Sequence, residues 1–295
     1  MTTGRPPSRL KLVAGEPAEL LRLIVERGGI AEALARSAIE RGGAYLRGRR
    51  VRDPGAAVAP GDEVEVHLRS GETAPLGRER ILHLDPHLVV LDKPAGVPAQ
   101  EDRQGGATLP ALASALVDGP ALLVHRLDRG TTGVTVLART RDAQAKLLEE
   151  FREHRVRKEY RALVLGAPER AEGIVELSLG PAPDGTRRVD PRGETAVTRY
   201  RILESFAGAS SIAAFPETGR THQIRAHFRA LGCPLLGDAR YGGPLQLTRP
   251  SGDRLDFGRP LLHAFSIELA HPAGGTLRAE APLPGDFRAA ADGLR

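Results

Sequence analysis

The sequence predicts an α+β protein with a mixed, mainly antiparallel sheet in its larger part and a small α/β module at its N-terminal end. Three observations predict it. The chain has 295 residues, more than a single domain commonly holds. Residues 8–70 read as two short helical stretches followed by a hairpin and a further strand, a self-contained pattern. Residues 167–211 hold several short strands broken by Gly and Pro, and their spacing suits antiparallel pairing rather than βαβ crossovers.

Composition narrows the class further. A hydrophobic content of 41% is enough for a real core. Of the 42 Lys and Arg residues only Lys11, Lys93, Lys146 and Lys158 are lysines, and the net charge is +5. An arginine excess suits phosphate and base-edge recognition, because the guanidinium is planar, bidentate and able to stack, so a polyanionic partner is expected. The single cysteine, Cys233, excludes an intramolecular disulfide and a thiolate metal cluster. Residues 1–9 lack the apolar core of a signal peptide, and no run approaches the roughly 18 apolar residues of a membrane span. A cytoplasmic protein with no membrane partner is therefore expected.

The elements follow in order. Residues 1–8 are polar and Pro-rich and read as a mobile tail. Apolar residues recur at helical spacing over 20–24 and 34–39, with Gly28-Gly29 between the two segments and Gly42-Gly43 stopping the second. Residues 44–51 read as strand, glycine turn and strand. Asp53-Pro54-Gly55 and Pro60-Gly61-Asp62 are turns, and residues 63–68 alternate as an exposed-edge strand should. Residues 71–78 have no periodicity and are expected to link the module to a second domain spanning 79–295.

In that second part, residues 81–85 and 88–92 are two strands joined by Pro86-His87, leading into a rigid loop over Lys93-Pro94-Ala95-Gly96-Val97-Pro98. Thr108 is placed to cap a helix over 109–117 that Gly119-Pro120 ends. Residues 134–138 form an apolar strand, 142–153 an amphipathic helix, 158–166 a strand and 195–203 another. Beyond residue 211, Gly, Pro and His gather at predicted strand ends, where loops carry sites.

The familiar nucleophile and metal signatures are missing. There is no G-x-S-x-G, no H-E-x-x-H, no G-x-x-x-x-G-K and no G-x-G-x-x-G. His222 and His227 are five apart, which on a helix puts them on different faces, so no metal site is expected. What stands out is His125-Arg126-Leu127-Asp128-Arg129-Gly130-Thr131-Thr132-Gly133, placed just before the apolar strand. Its composition also suits a plain polar turn. An aspartate can serve as base or nucleophile, and a nearby arginine keeps it ionised and fixes its rotamer, so Asp128 with Arg225 is the economical pair.

This string resembles the H-R-L-D-x-x-T-S-G signature of the RluA-type RNA pseudouridine synthases. Further strings resemble that family in its order: Asp92-Lys93-Pro94-Ala95-Gly96, Lys158-Glu159-Tyr160-Arg161-Ala162, Gly219-Arg220-Thr221-His222-Gln223-Ile224-Arg225, Pro234-Leu235-Leu236-Gly237-Asp238 with Tyr241-Gly242-Gly243, and Arg259-Pro260-Leu261-Leu262-His263-Ala264 with His271-Pro272. They cover residues 79–288. Thr132 stands where the family usually has Ser, which keeps the hydroxyl, so no loss of activity is expected.

The resemblance implies a catalytic domain of pseudouridine-synthase type that needs no cofactor. Such an enzyme cuts the N-glycosidic bond of a uridine in structured RNA, ribosomal or transfer, turns the base and rejoins it through carbon. It implies Asp128 as the catalytic aspartate, Tyr160 as the tyrosine on the base and Arg225 as the arginine paired with the aspartate. Leu262 would lie against the uracil, and Arg126 would fill the gap left by the extruded nucleotide, as a stacking cation can. His125, Arg220 and Lys93 would support substrate binding. A monomer is expected.

Residues 8–70 resemble an S4-type RNA-binding domain through Arg36-Ser37, Ile39, Gly42, Tyr45, Gly48, Val51 and Gly61-Asp62-Glu63-Val64. They depart from it in the doubled glycine and in Leu46-Arg47, where the family has Val-Asn. Arg36, Arg41, Arg47, Arg49, Arg50 and Arg52 would supply phosphate contacts. Two alternatives stay open: an RNA-binding protein of the same fold without chemistry, and a hydrolase acting on a nucleoside glycosidic bond, which also needs a carboxylate.

Overall fold

Charge-bearing loops can be held in place only by a sheet that brings distant strands together, and the larger part of this chain is built around one such sheet. A computed structural model describes residues 9–28, 32–40, 42–67, 75–100, 107–249 and 252–295. The expected tail, the first half of the expected linker (71–74), Gly29 and Arg41 lie outside the described residues. The chain divides into unit 1, residues 1–77 with 100–108, and unit 2, residues 78–99 with 109–295. No helix among the described residues is long and apolar enough to cross a membrane.

Unit 1 holds β1 (Arg9–Val13), β2 (Ala18–Glu19), α1 (Leu20–Gly28), α2 (Glu32–Glu40), β3 (Ala44–Leu46), β4 (Arg49–Val51), β5 (Ala57–Val58) and β6 (Glu63–His67). Leu20, Leu23 and Ile24 of α1 pack with Ala35, Ala38 and Ile39 of α2 against Ala44, Val64 and Val66 of the sheet. The sheet order is β1-β6-β3-β4. The strand at 63–67 is therefore interior, with β1 on one side and β3 on the other, which corrects the expected exposed edge. Alternating residues show that one face is buried; they do not show how many neighbours a strand has.

The doubled glycine has a local cause. Gly42 has a φ of 79° just past the end of α2, and a Cβ on Gly43 would lie 2.8 Å from the carbonyl oxygen of His67. The first glycine stops the helix and the second lets β6 approach. In the two-residue turn between β3 and β4, Arg47 and Gly48 have φ of 52° and 75°, the pairing that a tight hairpin of this twist requires.

Unit 2 holds β7 (Ile81–Leu84), β8 (Leu88–Lys93), α3 (Leu109–Val117), β9 (Leu122–Leu123), β10 (Thr132–Ala138), α4 (Arg141–Arg152), β11 (Arg157–Leu165), β12 (Glu172–Pro181), β13 (Arg187–Val189), β14 (Glu194–Phe206) and β15 (Ala209–Pro216). There follow α5 (Gln223–Ala230), β16 (Gln246–Thr248), β17 (Arg254–Asp256), β18 (Leu262–Ala270), β19 (Thr276–Glu280) and α6 (Gly285–Leu294). Its main sheet runs β13-β12-β14-β15-β11-β18-β10-β8-β7, with β19 added to β18 and β9 to β10.

The pairing is antiparallel except between β10 and β18, so the mainly antiparallel expectation holds. β8 continues through Lys93, one residue into the segment expected as loop. Thr140 rather than a later residue caps α4, its hydroxyl accepting from the Ala143 N–H. The sequence reading assigned no element to α5, β18 or α6.

The parallel contact positions the site. Thr132 lies beside His263 and Gly133 beside Ala264, so the loops preceding β10 and β18 start from the same end of the sheet. Gly133 has a φ of 107°, and a Cβ there would sit 2.1 Å from the Ala264 carbonyl oxygen; only glycine lets the strands meet. The Thr132 hydroxyl bonds His263 Nδ1 at 2.8 Å, and His263 Nε2 donates to the Ala281 carbonyl at 3.2 Å. The second bond puts the ring proton on Nε2, so Thr132 is the donor in the first.

Candidate active site

Asp128 lies in the loop entering β10, and Arg225 lies on α5, 97 residues later. Arg225 Nη1 donates to Asp128 Oδ2 at 2.9 Å. Its Nε and Nη2 donate to the two carboxylate oxygens of Asp238 at 2.6 and 2.8 Å, a bidentate pair that fixes the guanidinium plane. Asp238 is 1% exposed and Arg225 6% exposed, so both are held inside the protein. Burial works against the arginine's charge, but the hydrogen bond to Asp238 and the charges of Asp128 and Asp238 outweigh it and raise its pKa. Asp128 Oδ1 has no hydrogen-bond partner among the described residues. The arrangement thus presents one carboxylate oxygen, its other oxygen occupied by a cation that cannot turn away.

The backbone beside Asp128 is held from below. Lys93 is fully buried, and its ammonium donates to the carbonyls of Pro94, Arg129 and Thr131 at 3.0, 3.2 and 2.7 Å. Arg259 Nη1 donates to the carbonyl between them, Gly130, at 3.2 Å, while its Nε and Nη2 bind Asp286. Three successive carbonyls after Asp128 therefore rest on two buried cations. Burial pushes Lys93 down to about 7, but three carbonyl acceptors need three N–H groups, so this geometry belongs to the charged ammonium.

Tyr160 stands on β11 at a bulge in its pairing with β18, opposite Ala214 and Ala264. It packs on the cluster that contains Leu262, Ala162 and Ile224. Burial, then the charge of Asp128, raises the pKa of its phenol, so it stays protonated. Leu262 is 4% exposed, at the start of β18. The two residues share one apolar cluster, and the phenol lies near enough to Asp128 to feel its charge.

The other expected residues divide. Arg126 is exposed and forms no ion pair among the described residues. His125 is turned inward: its Nε2 accepts the Val136 N–H at 2.9 Å and its ring stacks on Phe151 at 4.6 Å. Burial pushes it down to about 3, so it is neutral. Arg220 is tied to β14, through Glu194 at 2.8 Å and the Thr195 carbonyl at 3.1 Å. Lys93, being buried, touches the loop and not the solvent-facing side of the site.

Sequence reasoning missed Asp238, Tyr241, Arg259 and the side-chain role of His222. Tyr241 is 1% exposed; Arg225 lies over its ring at 4.8 Å, and its hydroxyl meets His222 Nδ1 at 2.9 Å. All four stand in the motif strings, yet their spacing from Asp128 carries no geometric signal.

One cluster could hold a metal. His83, Asp85 and His271 offer ligand atoms within 4.8 Å of one another, at the opposite end of β8 from Lys93. Asp85 Oδ2 accepts from both imidazoles, at 2.6 and 2.8 Å. His271 Nδ1 accepts the Ala273 N–H at 3.1 Å, which puts the ring proton on Nε2, the atom a metal would need. The cluster is a hydrogen-bonded tie between two hairpins. His222 and His227 do not converge: His227 bonds Thr198, on the buried side of α5.

Comparison with known proteins gives a consistent result. The model of the RNA pseudouridylate synthase family matches residues 87–230. An uncharacterized RNA pseudouridine synthase of Zymomonas mobilis is 39% identical over 72% of this chain and 97% of its own length. The ribosomal large subunit pseudouridine synthase D of Nitrosomonas europaea is 40% identical over 76% of this chain and 67% of its own. Among solved structures, human RNA Pseudouridylate Synthase Domain Containing 4 is similar with a TM-score of 0.59 and 31% identity, covering 73% of this chain and 93% of that one.

Proposed function

The chain belongs to the RNA pseudouridylate synthase family, with the RluA-type motifs, and is an isomerase that converts uridine to pseudouridine in RNA; from that premise we propose that Asp128 is its catalytic carboxylate and large-subunit ribosomal RNA its substrate. The observation that carries the reading is the Asp128–Arg225–Asp238 series. Arg225 pairs with Asp128 and aims it, and Asp238 keeps Arg225 from following any other anion. Oδ1 is then the oxygen that meets the nucleotide, as nucleophile or base. Preorganised charge of this kind costs no rearrangement at the moment of reaction.

Around it, Tyr160 and Leu262 would hold the uracil plane, with the protonated phenol as a donor. Arg126 would occupy the gap the flipped nucleotide leaves, since it is exposed, unpaired among the described residues and able to stack. His125, Lys93 and Arg259 would act through the loop that carries Asp128, and Arg220 through the backbone before α5. Unit 1 would bring RNA to the enzyme as an S4-like module, with a domain boundary in residues 71–78. The enzyme would work in the cytoplasm, as a monomer, without a cofactor.

The test is to incubate the full chain with in vitro-transcribed large-subunit ribosomal RNA and map pseudouridine. The wild type is expected to form it at defined positions, and Asp128→Ala to form none while binding the RNA. Product from Asp128→Ala would sink the assignment of the carboxylate. Release of free uracil by the wild type would make the chain a hydrolase instead.

A further inference from the structure

His222 is an unspent hydrogen-bond donor beside the reactive carboxylate. It occupies the N-terminal end of α5 with φ 56° and ψ 20°, a left-handed conformation that strains a non-glycine residue. Its side chain makes no capping bond to the helix. The strain therefore serves some other use of the ring. Nε2 lies 3.7 Å from Asp128 Oδ2, beyond hydrogen-bond distance, and the side chain is 12% exposed.

The protonation of the ring follows from its neighbour. The Tyr241 hydroxyl accepts the Arg187 N–H at 2.7 Å and meets His222 Nδ1 at 2.9 Å. Tyr241 is 1% exposed, and its hydroxyl has no other acceptor among the described residues. If Nδ1 carried the ring proton, the phenol proton would be buried without a partner. The satisfied arrangement has Tyr241 donating to Nδ1 and the ring proton on Nε2, facing Asp128. Burial, joined by the charges of Arg225 and Arg240, keeps the ring neutral against the opposing pull of Asp128 and Asp238. Tyr241 thus supports both neighbours of Asp128, receiving Arg225 on its ring face and giving its hydroxyl proton to His222.

Resting on the reading of the site given above, we propose that His222 is a further catalytic residue, donating its Nε2–H to a uracil carbonyl oxygen of the target nucleotide. The donor lies on the Oδ2 side of the carboxylate, so a base whose reacting atom meets Oδ1 can present a neighbouring polar atom to it. The uracil is the group that needs it. When the C1′–N1 bond breaks, its electron pair leaves with the base, and the charge spreads over N1 and the carbonyl oxygens. After the base turns, C5 bonds to C1′, the C5 proton leaves and N1 takes up a proton. No atoms or electrons are gained or lost, and His222 keeps its proton throughout. A ribose hydroxyl gains no such charge, and a phosphate would call for a cation.

The test compares two versions of one transcript of large-subunit ribosomal RNA, made with uridine or with 5-fluorouridine throughout. Single-turnover loss of the N1-linked target nucleotide is followed at saturating protein; 5-fluorouridine has no C5 proton to lose, so on that transcript this loss reads the breaking of the C1′–N1 bond and the rejoining through C5 alone. His222→Ala is expected to slow the uridine reaction about 10²-fold, as removal of one oxyanion donor does, with RNA affinity changed less than about twofold. Fluorine withdraws electrons, so the departing base needs the donor less, and the defect on 5-fluorouridine is expected to be clearly smaller. His222→Gln, which keeps a donor, is expected to recover much of the loss. A second readout does not depend on activity: the ¹⁵N spectrum of histidine-labelled wild type, assigned by comparison with His222→Ala, should show the Nε2–H tautomer, and Tyr241→Phe should relax it.

Equal defects on both transcripts, or an Nδ1–H tautomer in the wild type, would overturn the proposal. A wild type that forms pseudouridine beside an equally fast His222→Ala removes this inference alone. A wild type that forms none removes the functional reading and this inference with it.

Discussion

In unit 1 the buried side chains among the described residues are all apolar, from Ala14 to Leu76, and the ion pairs Arg22–Glu26 and Arg36–Glu32 lie at the surface. In unit 2, Lys93, Arg225, Asp238 and Arg259 are buried, together with His227 and His263. The first unit is held by apolar area alone. The second spends burial on charge, which is stable only while every partner is present. A domain selected only for stability would not need that arrangement; one that must aim a single carboxylate does.

The contrast is broken most strongly at Asp128. Asp128→Asn keeps the shape of the site, leaves Arg225 paired with Asp238 and takes one negative charge from a cluster of two carboxylates and one guanidinium. Pseudouridine formation is expected to fall by about 10⁴-fold or more, while the melting temperature does not drop. A lower melting temperature would show that the carboxylate supports the fold rather than opposing it.

Asp238→Ala tests the buried pair against its surface counterpart. It leaves one edge of a buried guanidinium unpaired, and unit 2 is expected to lose roughly 3–5 kcal/mol in urea unfolding. Glu26→Ala, which removes the exposed partner of Arg22, is expected to leave the unfolding of unit 1 nearly unchanged. Similar losses in the two units would end the comparison. Lys93→Met comes next. It fills the space but leaves the carbonyls of Pro94, Arg129 and Thr131 with fewer donors, at a cost of roughly 3 kcal/mol. Because two of those carbonyls, Arg129 and Thr131, follow Asp128, the rate at saturating RNA is expected to fall more than the RNA affinity.

These partners also mark how far the residues alone could be read. Asp128 and Arg225 were legible as a pair, because a carboxylate in a polar loop needs a cation and the motif strings supplied one. Asp238 was not: it stands in the Leu236-Gly237-Asp238 string, and only the fold turns it toward Arg225. His125 and Lys93, expected to support substrate binding, point into the protein, where His125 meets the Val136 N–H and Lys93 the carbonyls after Asp128. The strand at 63–67 was read as an edge because periodicity reports faces and not neighbours. The strands of unit 2 were legible from Gly and Pro punctuation, whereas β18 was hidden by its His and Pro neighbours.

Acid should separate the units as well. Burial pushes His125 down to about 3 and His227 down to about 4, both from an ordinary 6.5, and lowers His263. The unfolded chain takes up these protons near pH 6.5 and the folded one refuses them, so stability falls as pH drops below 6.5 toward 4. The slope is up to about 1.4 kcal/mol per pH unit for each histidine. The lowered carboxylates, Asp62 in unit 1 and Asp85 in unit 2, begin to cost stability only near and below their ordinary 3.8. Between pH 7 and 5 the buried histidines of unit 2 therefore carry the effect. Urea unfolding at the two pH values should weaken unit 2 and spare unit 1; the reverse would contradict the burial argument.

The smallest effect belongs to the surface of unit 1. Arg36 and Arg47 are engaged with Glu32 and Asp62, and Arg50 donates to the Tyr45 hydroxyl, so each must give up a partner to meet a phosphate. Arg49 is exposed on β4, with no ion pair among the described residues. If unit 1 binds RNA through its arginines, Arg49→Ala should weaken binding and lower the slope of log affinity against log salt by about 0.7–0.9, the release of one counterion. Arg47→Ala should change the slope less, because Asp62 already neutralises that charge. The rate at saturating RNA should not change in either variant, since Asp128, Arg225 and Asp238 all belong to unit 2. Equal slopes for both variants and the wild type would mean that the surface charge of unit 1 serves solubility, and that unit 2 binds RNA without it.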